Sequence, residues 1–399
     1  MPHHRPRVLV LNYEFPPVGG GGGVIARDLS RVFAERGWEV RVQTSRMKGQ
    51  PRRECKDGYT IYRTFAFRRH TDRCTTPELA AYLLTNLLPS LKHAIFWKPD
   101  LVHVHFAVPT GVIGYLIHKL TGIPYVLTAH LGDVPGGVPQ KTEKVFRVIK
   151  PLTVPIWRKA SAVVGVSEHT QALARQAYDM NLRVIYNGID LRECIPSSPE
   201  PHHPPRILFA GRIRPQKNPL FLLDVLSQVA DLDWTIDVAG EGPLMPAFRS
   251  KLQASRLGER VRLHNWVPSE EVDRLMSDAD LLFIPSLMEG LPLVGLKALG
   301  HGLAILGSDI PGLHYVIDDG INGYRCPVND LEAFASRLRK MLTSPDTIRN
   351  MKARSREIAH RFDLYTVADQ YLEVFEVVLA EAIGDRGSSP GSISDATND

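Results

Sequence analysis

Cysteine is scarce in this 399-residue chain. Cys55, Cys74, Cys194 and Cys326 stand far apart with no CxxC spacing, which leaves no disulfide framework or zinc-ligand set and fits a reducing cytoplasm. Long uncharged apolar runs are missing too. The N-terminal MPHHRPRVLVLNYEFPP has four consecutive apolar residues, Val8 to Leu11, too few for the core of a secretory signal. The most apolar stretch, ELAAYLLTNLLPSLKHAIFW, is broken by Asn86, Pro89, Lys92 and His93, so it reads as a packed helix pair rather than a membrane-associated segment. The common nucleotide fingerprints are also absent. Five glycines, Gly19 to Gly23, are followed by no GK[ST], and Val24 takes the last place of GxGxxG, which disfavours a P-loop enzyme and a dinucleotide oxidoreductase.

What is present is a soluble composition, 44% hydrophobic and 23% charged, long enough for two domains. The net charge of +5 is unevenly spread. Residues 1–190 hold 26 Lys and Arg against 14 Asp and Glu, while the remainder holds 22 against 29. Clusters such as Arg52 to Lys56 and Arg68 to Arg73 suit an anionic membrane face or an acidic acceptor, or are solvated surface loops.

Both halves use one grammar. RVLVLNY, EVRVQTS, DLVHVHF, YVLTAH and AVVGVS alternate with helical patterns, and RILFAGR, WTIDVAG, VRLHNWV, DLLFIPS and LAILGSD repeat it. Near-continuous Val, Ile and Leu runs between helices indicate parallel sheets covered on both faces, hence an α/β chain of two doubly wound units. NGIDLRECIPSSPEPHHPP, without hydrophobic periodicity, marks a linker near residues 190–205. Ligands of such sheets bind at the carboxyl ends of the strands, so those loops carry the candidates.

Gly19 to Gly23 lie between the first strand and the first helix, where bare backbone can approach an anion at a helix N-terminus. Arg212 and Lys217 follow the first strand of the second half, a fork and a point charge suited to a diphosphate. His130 and Asp133 end another strand, where the imidazole can hydrogen-bond a sugar hydroxyl or a phosphate. Glu289 and Lys297 belong to SLMEGLPLVGLKALGHG, a strand-to-helix connection. His103 and His105 share a strand face without a third ligand, and DLD (231–233) and DAD (278–280) precede strands rather than follow them. No metal site is expected.

In their order, PPVGGGGG, TAHLGD, VSE, NGID, AGRIRPQKNP, ADLLFIPSLMEGLPLV and SDIPGLHYVIDDGINGYRCPVND resemble the motifs of family 4 of the retaining glycosyltransferases. The likeness runs from about residue 7 to residue 375. It implies the GT-B fold, two Rossmann-like parallel-sheet domains facing across a cleft. Residues 1–190 would bind the acceptor and 206–364 the nucleotide sugar, with 191–205 as linker. A C-terminal helix over 365–384 would pack back toward the first domain, before a disordered tail at 385–399. The implied reaction moves a sugar from a nucleotide diphosphate sugar, uridine before guanosine, to a hydroxyl acceptor, with retention and with neither metal nor cofactor.

The resemblance also implies roles. Arg212 and Lys217, with Gly211, neutralise the diphosphate, helped by the amides of Leu293 and Val294. Gly20, Gly21 and Gly22, with Asp133, line the acceptor and phosphate loop, and His130 reaches the donor sugar. Glu289 matches the first acid of a pair separated by seven residues and contacts the donor sugar. Two departures stand out. Lys297 replaces the second acid, whose carboxylate would accept from the ribose hydroxyls, and a lysine has no acceptor. Tyr315 stands where the family usually has an acid nearby. The expected partners are the donor and a lipid-linked or anionic acceptor of surface polysaccharide, lipopolysaccharide or glycolipid assembly, with no nucleic acid. The expected place is the cytoplasm, at the inner face of the cell membrane. A partner-dependent enzyme, a silent GT-B binding module and a GT-B epimerase are the alternatives.

Overall fold

The computed structural model describes residues 5–70, 74–137 and 139–387. The first sheet is built from β1 (Arg7–Leu11), β2 (Glu39–Arg46), β3 (Arg53–Lys56), β4 (Tyr59–Phe65), β5 (Leu101–His105), β6 (Tyr125–Ala129), β7 (Ala162–Gly165) and β8 (Arg183–Val184). The second holds β9 (Arg206–Ala210), β10 (Thr235–Ala239), β11 (Val261–Asn265), β12 (Leu281–Ile284), β13 (Ala304–Ser308) and β14 (Gly323–Cys326). Their orders are β3-β4-β2-β1-β5-β6-β7-β8 and β11-β10-β9-β12-β13-β14. All pairs are parallel except β3 with β4. Both are doubly wound.

The centre of each sheet is buried on both faces, as in β1 with Val8, Leu9, Val10 and Leu11, which is why these strands read as unbroken apolar runs. The basic stretch Arg52 to Lys56 contributes the edge strand β3, where exposed charge blunts pairing with other chains. Arg73 lies outside the described residues.

Two sequence readings are corrected. The helix after β1 begins at Gly21, so Gly21, Gly22 and Gly23 form its first turn and only Gly19 and Gly20 precede it. Glycine disfavours helix, but burial of Ile25, Leu29, Val32 and Phe33 on one face carries the element. The apolar stretch after β4 is one helix, Thr76–Lys92, continued by a turn to Trp97, with Pro89 inside it. It is not a helix pair.

The domains are joined twice at one place. Ile189 N–H donates to Phe362 O at 2.9 Å, and Leu364 N–H donates to Ile189 O at 2.9 Å. The chain thereby returns to the first domain as the helix Leu364–Gly387, whose Phe375 packs edge-on against Phe33 and Trp38 at 5.2 and 5.6 Å. Residues 385–387 thus continue the helix, and the rest of the tail lies outside the described residues.

Candidate active site

Glu289 sits in the loop between β12 and the helix Leu293–His301. Its Oε1 accepts from Lys217 Nζ at 2.5 Å and from Ser286 Oγ at 2.7 Å. Lys217 arrives from the turn after β9, and that turn is stitched to the same loop by Leu287 N–H to Gln216 O at 2.8 Å and Gln216 Nε2 to Met288 O at 2.9 Å. A Cβ on Gly312 would lie 2.2 Å from the carbonyl oxygen of Glu289, so only glycine lets the third strand-end loop close on the site. Gly211 lies beside the Lys217 stem, where its Cβ would be 3.6 Å from Cε. The carboxylate and ammonium are largely sheltered from water, their side chains 8% and 15% exposed, so removing one partner leaves the other buried without its ion pair.

Across the cleft, Arg212 lies on the first domain's glycine turn. Its Nη2 is 2.7 Å from where a Gly20 Cβ would stand. Gly20 N–H in turn donates to Glu14 Oε2 at 2.9 Å. The first turns of two helices also meet here: a Cβ on Gly21 would lie 3.8 Å from Leu293 Cβ. Two helix N-termini, whose leading amides the helices themselves cannot satisfy, therefore converge with Arg212 and Lys217. Val294 is the second residue of the Leu293 helix. The arrangement gathers positive charge and free helix amides from both domains at one place, chemistry suited to an anion.

His130 forms the first domain's wall. Its ring lies 4.4 Å from Phe106, and Phe106 lies 4.9 Å from Tyr13. The Phe106 ring fills the space a side chain at Gly22 would need, its Cζ 2.5 Å from that Cβ. Phe106 has φ +72°, a conformation costly for a bulky residue and often found at functional sites. His130 Nε2 is buried with no hydrogen-bond partner. Burial pushes its pKa down to about 4, so the ring is neutral near neutral pH. Behind it His105 stacks at 5.8 Å and His103 follows 4.3 Å further in.

Asp133 is a loop clamp, both of its carboxylate oxygens taken by backbone amides. Its Oδ1 accepts from Ala107 N–H at 3.0 Å and its Oδ2 from His130 N–H at 2.9 Å, tying the loops after β5 and β6 together. Burial pushes its carboxyl up to about 7, against the backbone amides that favour the ionised form.

Lys297 is already engaged. Its Nζ donates to Asp273 Oδ2 at 2.7 Å, Asp273 Oδ1 at 2.8 Å and Ser269 Oγ at 2.8 Å. Burial pushes the Asp273 carboxyl up, yet the hydrogen bond from His301 and the charge of Lys297 hold it below the usual range. Tyr315 reaches the other domain, its hydroxyl oxygen accepting from His169 N–H at 3.1 Å. Asp231 is paired with Arg339 and Asp280 with the buried Lys352. Sequence reasoning missed Ser286, Glu14, Phe106 and Asp273. The first three immediately follow or adjoin strand ends and could have been sought there, whereas Asp273 is one acid among several on an exposed helix.

Residues 19–193 match the family described as Glycosyltransferase Family 4, and residues 204–344 match Glycosyl transferases group 1. The chain belongs to the family 4 glycosyltransferases and has the GT-B fold. It is 24% identical to the UDP-Gal:alpha-D-GlcNAc-diphosphoundecaprenol alpha-1,3-galactosyltransferase of Escherichia coli, over 70% of this chain and 75% of that one. Among solved structures it resembles sucrose-phosphate synthase from Thermosynechococcus elongatus, with TM-score 0.81 and 21% identity over 94% of this chain and 100% of the other. It also resembles HepE of Anabaena in complex with UDP and glucose, with TM-score 0.74 and 17% identity over 94% and 100% of the two chains.

Proposed function

We propose that this glycosyltransferase acts in glycan or glycolipid biosynthesis, moving a sugar from a UDP-sugar to a hydroxyl of a lipid-linked or otherwise anionic acceptor, with retention and without a metal ion. The observation that carries the reading is the anion seat: Arg212, Lys217 and two helix N-termini converge near the sheltered carboxylate of Glu289. Fixed positive charge at that point stabilises a departing nucleoside diphosphate in proportion to the charge it gains, which is where catalytic electrostatics act most strongly.

In this mechanism the donor diphosphate lies on Arg212, Lys217 and the Leu293 and Val294 amides. Its arrival draws Lys217 toward phosphate and frees Glu289 to accept from the sugar. The acceptor hydroxyl enters past the wall of Tyr13, Phe106 and His130. The sugar's bond to the diphosphate oxygen breaks, the acceptor oxygen bonds the same carbon on the same face, and the hydroxyl proton passes to the leaving phosphate. Closure of the two domains about the paired crossings at Ile189 and Leu364 excludes water. Uridine is favoured over guanosine by the E. coli relative, whose name states a UDP-galactose donor, and by HepE, whose structure holds UDP. That relative also takes a diphosphoundecaprenol-linked acceptor.

The test is transfer itself. Purified protein, treated with chelator and given radiolabelled UDP-sugars with a polyprenyl-diphosphate-linked acceptor, should form a product with an α linkage from an α donor. Inversion, or dependence on added metal, would remove those parts of the reading. The engagement of Lys297 by Asp273 favours a second possibility, an enzyme whose nucleotide grip is completed by a partner. Stronger UDP binding by Lys297→Glu than by the native protein would support it.

A further inference from the structure

The helix Thr76–Lys92 packs on the domain through a mixed face, with Leu83, Leu87 and Leu91 partly buried against the apolar core. Its buried residues are Glu78, Tyr82, Asn86 and Ser90, each four from the last, and most of their polar atoms are satisfied inside. Glu78 accepts from Thr75 N–H at 2.7 Å and Arg69 N–H at 2.9 Å, Asn86 Oδ1 accepts from Gln43 Nε2 at 2.7 Å, and Ser90 Oγ donates to Asn86 O at 2.7 Å. The opposite stripe is apolar and faces out. Leu84 is 74% exposed, Leu88 67%, and in the turn beyond the helix Phe96 is 81% and Ile95 52%. Large apolar side chains gathered on one outward face mark an interaction surface.

We propose that this face docks the protein on an anionic lipid bilayer, an inference that rests on the lipid-linked acceptor reading above. Charge decides the occupant. From Thr76 to Lys98 the only acid is Glu78, and it is turned inward. The exposed charges are Lys92, in the four-residue register between Leu88 and Phe96, and Lys98. Lys119 and Leu120 add a further exposed cation and apolar side chain at the end of the neighbouring helix Thr110–Thr121. Apolar residues flanked by lysines are the pattern of an interfacial helix, and the excess of basic residues in this half of the chain adds attraction to anionic headgroups. The docked orientation also serves the chemistry. The helix starts at the cleft end of the domain, after the carboxyl end of β4, and runs to the opposite end. Lying flat, it sets the cleft mouth beside the bilayer, where a lipid-tethered hydroxyl approaches from the side.

The full-length protein is sedimented with vesicles of phosphatidylethanolamine and phosphatidylglycerol, alongside Leu88→Glu/Phe96→Glu and Lys92→Glu/Lys98→Glu. Thermal shift with UDP is read in parallel as a check on folding and on the donor site. The native protein should sediment with the vesicles, and the first variant should lose about tenfold or more of that binding. The lysine variant should lose the part that salt also removes. Both should keep the native response to UDP. Native protein left in the supernatant would overturn the proposal. So would vesicle binding unchanged in Leu88→Glu/Phe96→Glu, or a native dimer that this variant dissociates with no vesicle binding in either. UDP failing to bind while the vesicle result holds would strike the transferase reading alone.

Discussion

Lys217 and Glu289 share one ion pair, and they test differently alone and together. Lys217→Ala should reduce transfer by about a hundredfold or more, since it removes fixed charge from the leaving group. Glu289→Gln should reduce transfer comparably with little change in UDP affinity. The double variant should lose at least the product of the two losses, because in the reacting complex Lys217 engages the diphosphate and Glu289 the sugar as separate contacts; a loss well short of that product would show that the two still act as one pair during transfer. A second expectation concerns the buried imidazoles. Burial lowers His130 to about 4 and His103 to about 3, and drives His105 well down, against about 6.5 in the unfolded chain. Their folded values are depressed, so the stability they confer is whole above about pH 6.5 and is lost as pH falls toward 4. Denaturant midpoints measured from pH 7 to pH 4.5 should fall steadily, and His130→Gln should flatten the slope; an unchanged slope would place its proton uptake elsewhere. Glu289, Lys217 and Arg212 could be read from the sequence because strand-end loops converge in this topology whatever their partners. The fate of Lys297 could not be, because Asp273, which holds it, lies 24 residues upstream on another helix, and no local pattern joins them.

At the scale of the element, glycines separate structure from function. A Cβ at Gly312 meets the backbone carbonyl of Glu289 at 2.2 Å, which cannot yield cheaply. Gly312→Ala should therefore cost about 1–3 kcal/mol of stability. A Cβ at Gly20 meets the far end of Arg212 at 2.7 Å, and that guanidinium can swing aside. Gly20→Ala should leave the melting temperature nearly unchanged while weakening UDP binding. Equal destabilisation in both variants would mean that Arg212 is anchored by more than the glycine turn. The strands were readable because burial on both faces turns them into plain apolar runs. Helix boundaries and orientation were less so: tertiary burial overrides glycine's low propensity at Gly21 to Gly23, and no periodicity reveals which stripe of Thr76–Lys92 faces water.

The whole molecule depends on the return of its last helix. Phe375 is fully buried against Phe33 and Trp38 of the other end of the chain. Phe375→Ala should cost about 3–5 kcal/mol, destabilising the first domain although the substitution lies after the second. The domains also meet through Tyr315 and His169, so cleft geometry is set by contacts far apart in sequence. The proposed function requires that the two domains together form a seat for a nucleoside diphosphate. Its most direct test is the equilibrium affinity of UDP for the native protein and for Arg212→Ala and Lys217→Ala. UDP should bind, stabilising the fold by roughly 2.7 kcal/mol at 100 times its dissociation constant, and each substitution should weaken binding about tenfold or more. UDP held as tightly by both variants as by the native protein would contradict that requirement.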